Sequence, residues 1–123
     1  MSDLTLNAYQ KAAHTTAAYG PVFEYPFGSL AEEAGEVMGK LNKFCRKHKA
    51  SMRDAVVSAM FPSLDVHEKL REDLTKELGD LLWQVQECAG VLGLSLEDIA
   101  QMNLGKLSGR AERGTIDGEG DDR

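Results

Sequence analysis

The sequence predicts an all-α protein, a small antiparallel helical bundle of about four main helices that works as an oligomer. Three observations predict it. Apolar residues recur at helical spacing almost throughout, and no segment alternates as a strand would. Serine, proline and glycine punctuate the chain where helices would start and stop. Finally, 123 residues with 42% hydrophobic content suffice for one core. Shared between two long amphipathic helices and two shorter ones, that core is thin, which favours self-association.

The elements follow in order. Leu6 to about Tyr19 carries a small apolar stripe (Tyr9, Ala13, Ala17), and Gly20-Pro21 stops it. Pro21 to Gly28 is expected to be an aromatic loop bearing Phe23, Tyr25 and Phe27. Ser29-Leu-Ala-Glu32 has the serine-to-glutamate spacing of a capping box, so the second helix should run from Ser29 to about His48. A basic segment with a short helix, Met52 to Met60, leads to Phe61-Pro62-Ser63. A third long helix spans about Asp65 to Val91, and Ser95 caps a fourth that ends near Arg113. Residues 1–113 thus read as one all-α domain. Residues 114–123, GTIDGEGDDR, form a glycine-rich acidic tail with too little apolar content to fold alone.

Composition narrows the function. A net charge of -6 speaks against a general nucleic-acid binder, because affinity for phosphate backbones comes from excess lysine and arginine. Cys45 and Cys88 match no metal-binding or redox spacing and fall on apolar helix faces, as reduced core thiols of a cytoplasmic protein do. The N-terminus lacks the basic and apolar regions of a signal peptide, and no apolar run is long enough to span a membrane.

The chemistry lies in a repeated phrase. Glu33-Ala-Gly-Glu36 on the second helix and Glu77-Leu-Gly-Asp80 on the third share one pattern: acid, apolar, glycine, acid. At about 100° per residue, both pairs fall at the same edge of their helix's apolar stripe. If the two helices pack antiparallel through those stripes, four carboxylates converge. Unneutralised like charges at close range raise one another's pKa, so a cation is expected. Every candidate ligand is an oxygen, which selects a hard divalent ion. Mg²⁺ is favoured over Ca²⁺ because no EF-hand loop is present. Zn²⁺ is disfavoured because His14, His48 and His67 are scattered. A Mg²⁺ cage in an acidic protein points to phosphate-ester or anhydride chemistry. Gly35 and Gly79 read as places where another backbone or a metal comes close.

These residues resemble the MazG-type nucleoside triphosphate pyrophosphohydrolases of the all-α NTP pyrophosphatase superfamily. The signature EExxE appears as Glu32-Glu33-Ala-Gly-Glu36 and ExxD as Glu77-Leu-Gly-Asp80. ELGDLLW, LGLSLEDIAQMNLGKL and the ending RGTIDGEGDDR are also similar to members of that group. The likeness covers roughly Leu30 to Arg123. The span between Glu36 and Glu77, with Arg46-Lys47-His48-Lys49, is longer than in compact members. The resemblance implies hydrolysis of an NTP or dNTP to the monophosphate and pyrophosphate, for nucleotide-pool housekeeping. It implies that Glu33, Glu36, Glu77 and Asp80 hold Mg²⁺, with Mn²⁺ as a substitute. Glu32, with Glu33, would serve catalysis by facing a further metal or orienting the attacking water. Asn103 would contact the nucleotide, and Lys106 and Arg110 its phosphates. A homodimer or homotetramer would complete the site. Related dUTPases and phosphoribosyl-ATP pyrophosphohydrolases share the acidic pattern, so the substrate stays open. A non-enzymatic helical interaction protein is the alternative from another class. Trp83 reads as packing, whereas Phe23, Tyr25 and Phe27 are the candidates to stack on a base.

Overall fold

The computed structural model describes residues 3–121, and these form five α-helices with no strand. They are α1 (Leu6–His14), α2 (Tyr25–His48), α3 (Met52–Met60), α4 (Asp65–Val91) and α5 (Leu96–Arg113). The all-α bundle expected from periodicity is therefore the fold. Among the described residues, no helix is long and apolar enough to cross a membrane.

The long helices α2 and α4 form the main interface and run antiparallel. Glu33 meets Asp80 and Glu77, Lys40 meets Glu77, and the Phe44 ring lies 6.2 Å from that of His67. Their apolar stripes close over α3: Leu41 and Leu70 are buried with Ala55 and Ala59, and Phe44, Cys45 and Leu74 pack around them. Alanine at both α3 contact positions lets that short helix approach closely. Arg71 of α4 then donates to the carbonyls of Ala59 and Met60, 2.9 and 3.3 Å away, satisfying acceptors at the end of α3. Ser95 caps α5 as expected, its Oγ accepting from Asp98 N–H at 3.0 Å, and Ser51 Oγ caps α3 by accepting from Asp54 N–H at 3.0 Å. Cys45 is half-buried and Cys88 buried, and neither is in a disulfide.

Two boundaries differ from expectation. First, α1 stops at His14 and not near Tyr19. The hydroxyls of Thr15 and Thr16 bond back to the carbonyls of Ala12 and Ala13, at 2.6 and 2.7 Å, and end the helix ahead of Gly20-Pro21. Second, α2 begins at Tyr25, so Tyr25 and Phe27 belong to its first turn and not to a loop. Pro26 supplies the start: its fixed φ suits the first turn, and its missing N–H would have had no helical partner there. Ser29 is consequently inside the helix and buried, and it does not cap it.

α1 lies across α4 and the start of α5 through polar side chains. Gln10 Nε2 donates to Leu94 O at 3.1 Å, and its Oε1 accepts from Leu96 N–H at 2.8 Å. Beneath it is a buried carboxylate. Glu87, 1% exposed, accepts from Tyr19 Oη at 2.5 Å, from Gln86 Nε2 at 2.7 Å and from His14 Nδ1 at 3.0 Å. Burial alone would push its carboxyl up, but these donors together hold it below the ordinary glutamate value. The same bond drives the Tyr19 phenol up to about 12.

Candidate active site

The α2–α4 packing brings three acids together. Glu33 from α2 and Glu77 and Asp80 from α4 each place a carboxylate oxygen within 4.8 Å of the others. Glu33 and Glu77 are half-buried and Asp80 is exposed. Burial is the largest influence on Glu33, and the charges of Asp80, Glu32, Glu77 and Glu36 follow; all of them raise its pKa. The acidic phrases on the two helices thus press on one carboxyl, as the wheel argument requires. Asp80 also reaches the first helix: its charge, after burial, raises the phenol of Tyr9.

The other two expected acids stand apart from this trio. Glu32 and Glu36 are exposed on α2 and lie outside the group of converging oxygens. The three histidines are elsewhere: His14 bonds to Glu87, His67 to Ser63, and the ring of His48 sits 4.4 Å from that of Phe44. The trio itself offers only hard carboxylate oxygens, a donor set that fits a hard divalent cation and not a soft metal. The close-approach reading of the glycines is not met within one chain: a Cβ at Gly35 or Gly79 would touch nothing within 4 Å.

Sequence reasoning missed Lys40. Its Nζ lies 3.3 Å from Glu77 Oε1, so the chain supplies one cation to the acidic group itself. The signal was available, because Lys40 follows Glu33 by two helical turns and shares its edge of α2. Beyond Asp80 by one turn, Trp83 donates from Nε1 to Thr16 Oγ1 at 2.9 Å and to Ala13 O at 3.2 Å. This ties α4 to the end of α1 and agrees with a packing role. Its ring also walls a 470 Å³ cavity with Thr16, Ala18, Tyr19, Val22 and Tyr25. Tyr19 and Tyr25 stack there, their centroids 5.7 Å apart. Of the three aromatics expected to meet a base, only Tyr25 lines this space.

Asn103, Lys106 and Arg110 are not brought to the trio by helix packing. Among the described residues, α5 packs on α1 and α4 and not on α2. Asn103 and Lys106 are exposed, whereas Arg110 is buried under the C-terminal tail. Arg110 Nη2 donates to Gly120 O at 3.1 Å and to Asp121 O at 2.9 Å. Lys106 Nζ and Arg110 Nη2 both reach Asp121 Oδ1, at 3.1 and 3.3 Å. Lys106 first and Arg110 second hold that carboxyl below its usual range.

The comparisons with known proteins bear on the family of the chain. Residues 27–115 match the model of the MazG nucleotide pyrophosphohydrolase domain. A protein described as Gene 37 protein, from Mycobacterium phage L5, is 34% identical over 96% of this chain and 98% of its own length. No solved structure matches the chain. The matched segment contains all three converging acids.

Proposed function

The chain belongs to the MazG nucleotide pyrophosphohydrolase family, and from that membership we propose that it hydrolyses nucleoside or deoxynucleoside triphosphates to the monophosphate and pyrophosphate, with Mg²⁺ held at the acidic trio. The observation that carries this reading is the convergence of Glu33, Glu77 and Asp80 from two helices, with the proton affinity of Glu33 raised by burial and then by its acidic neighbours. Glu36 joins as a fourth ligand from one turn along α2. Mg²⁺, or Mn²⁺ in its place, would neutralise phosphate charge and make a bound water more acidic.

The chain's own residues do the rest. Glu33 and exposed Glu32 serve the attacking water, which Glu32 orients. Lys40 is the counter-charge of Glu77 while no metal is held, and it is free to turn to a phosphate oxygen otherwise. The cavity beside Trp83 and Tyr25 suits a base, one turn from Asp80. Asn103, Lys106 and Arg110 serve the nucleotide from a second copy of the chain, in a homodimer or homotetramer, Arg110 by exchanging its bonds to Gly120 and Asp121 for the phosphates. What supports this is that the outer half of α5 is exposed, with Met102 77% and Leu104 66% accessible. The role is nucleotide-pool housekeeping in the cytoplasm.

The test is pyrophosphate release from a panel of ribo- and deoxyribonucleoside triphosphates, with dUTP and phosphoribosyl-ATP included. Mg²⁺-dependent release from at least one member is expected. No release from any would leave the non-enzymatic interaction protein as the better account.

A further inference from the structure

Away from the aromatic cavity, on the other side of the acidic trio, the α2–α4 seam opens into a groove of 450 Å³. Lys40, Lys43 and Lys47 of α2 line one wall and Lys69 of α4 the other, and Phe44 and Leu70 contribute apolar surface. The basic stretch at the end of α2 and its cap (Lys40, Lys43, Arg46, Lys47 and, at the cap, Lys49) contains no acid, in a chain whose net charge is -6. Two of the groove lysines are already paired: Lys40 with Glu77, and Lys69 with Asp73. Lys43 and Lys47 have no acid within ion-pair reach among the described residues. Attraction to the negative end of the helix dipole accounts for Lys47 in the last turn, but that effect fades before Lys43 and Lys40. The groove therefore presents unspent positive charge, and Lys40 connects it directly to the acids.

We propose that this lysine groove is an oligophosphate site, which holds the phosphates beyond the scissile bond of a bound nucleotide and then the released pyrophosphate. The inference rests on the hydrolase reading for its substrate, but the groove's affinity for pyrophosphate stands on charge and shape alone. The polarity is consistent. On α2, Tyr25 precedes Glu33 and the lysines follow it; on α4, Trp83 follows Asp80 and Lys69 precedes Glu77. A nucleotide with its base at Trp83 and Tyr25 and its α-phosphate over the trio then points its terminal phosphates at Lys40 and Lys43. In the hydrolysis, water oxygen bonds to the α-phosphorus, the bond to the bridging oxygen breaks, and pyrophosphate leaves with the bridging oxygen into the groove. Asp65 and Asp73 also line the groove, so its four lysines leave only a small positive excess, enough for a short oligophosphate; a nucleic-acid backbone is the less favoured occupant, because these acids and neighbouring Glu77 would repel a continuous polyanion.

The experiment is calorimetric titration of the full chain with inorganic pyrophosphate, comparing wild type, Lys43→Gln/Lys47→Gln and Lys11→Gln/Arg53→Gln. The last pair removes the same charge at exposed positions that do not line the groove. All four side chains are exposed, so the fold should be kept, and thermal melts check this. The groove variant is expected to lose about tenfold or more in pyrophosphate affinity and the control almost none. The groove variant should also raise KM for the nucleotide triphosphate with kcat little changed, while binding of the monophosphate product stays as in wild type. Equal affinity in wild type and groove variant, or an equal loss in both variants, overturns the proposal. A groove variant with weakened pyrophosphate binding, in a protein that hydrolyses no nucleotide, would sink the hydrolase reading and leave the groove standing.

Discussion

Two carboxylates show how burial and partners set opposite stabilities. The Glu87 carboxyl is held low, so its contribution is present above the unfolded value of about 4.3 and is lost as pH falls through the folded value. Thermal melts between pH 7 and pH 2 should therefore show a steeper acid loss in wild type than in Glu87→Gln. At pH 7 that variant should be less stable by about 1–3 kcal/mol, since buried Gln86, half-buried Tyr19 and exposed His14 lose their charged acceptor. Glu33 has the reverse sign. Its folded pKa is raised, so without metal it favours the folded state only at acid pH and opposes it as pH rises through the folded value. Glu33→Gln is expected to melt higher than wild type in EDTA at pH 7 and to gain nothing from Mg²⁺; a lower melting temperature in EDTA would show that the carboxylates do not repel. The acid repeat made Glu33 legible in the sequence. Glu87 was not, because its partners His14 and Tyr19 lie on and just after α1, and no local spacing links them to α4.

At the scale of elements, helices were legible where the signal was a period or a serine cap, as in α3, α4 and α5. They were misread where two start signals competed. At the head of α2, Pro26 prevailed over Ser29, because proline preorganises the first turn while the serine side chain is buried inside the helix. The tail was read as unable to fold alone, yet through residue 121 it folds back along α5, held by Arg110 and Lys106. That arrangement depends on backbone carbonyls and could not be read from composition. The exposed outer half of α5 leads to the expectation that the protein is a dimer or tetramer by light scattering at micromolar concentration, and that Leu104→Asp lowers its mass. A monomeric wild type would mean that α5 cannot deliver Asn103, Lys106 and Arg110 to a neighbouring site.

For the whole molecule, the antiparallel α2–α4 pair is what makes a site from two distant phrases. Only the folded state gathers Glu33, Glu77 and Asp80, so any ion they hold stabilises the fold by linkage, about 2.7 kcal/mol at a hundredfold excess over Kd. At about 4–8 °C per kcal/mol for a domain of this order of size, Mg²⁺ should raise the melting temperature well beyond NaCl of equal ionic strength. The rise should be much smaller in Glu77→Gln; equal shifts in the two proteins would make the acids a solvated face. The sequence could foresee Glu33, Glu77 and Asp80 meeting because helical period and helix pairing suffice to place them, whereas Glu36, expected with them, stands outside the group. The lysine at Glu77 was missed although it shares Glu33's edge of α2; the groove beyond it was not legible, because it depends on the rotation and spacing of the packed helices. The most direct test of the catalytic assignment is pyrophosphate release from the best nucleotide by wild type and Asp80→Asn, each with Mg²⁺ and with EDTA. Release by wild type in Mg²⁺ alone is expected, with Asp80→Asn reduced about a hundredfold or more and still folded. Near wild-type release by Asp80→Asn, or undiminished release in EDTA, would contradict a metal-dependent centre at Glu33, Glu77 and Asp80.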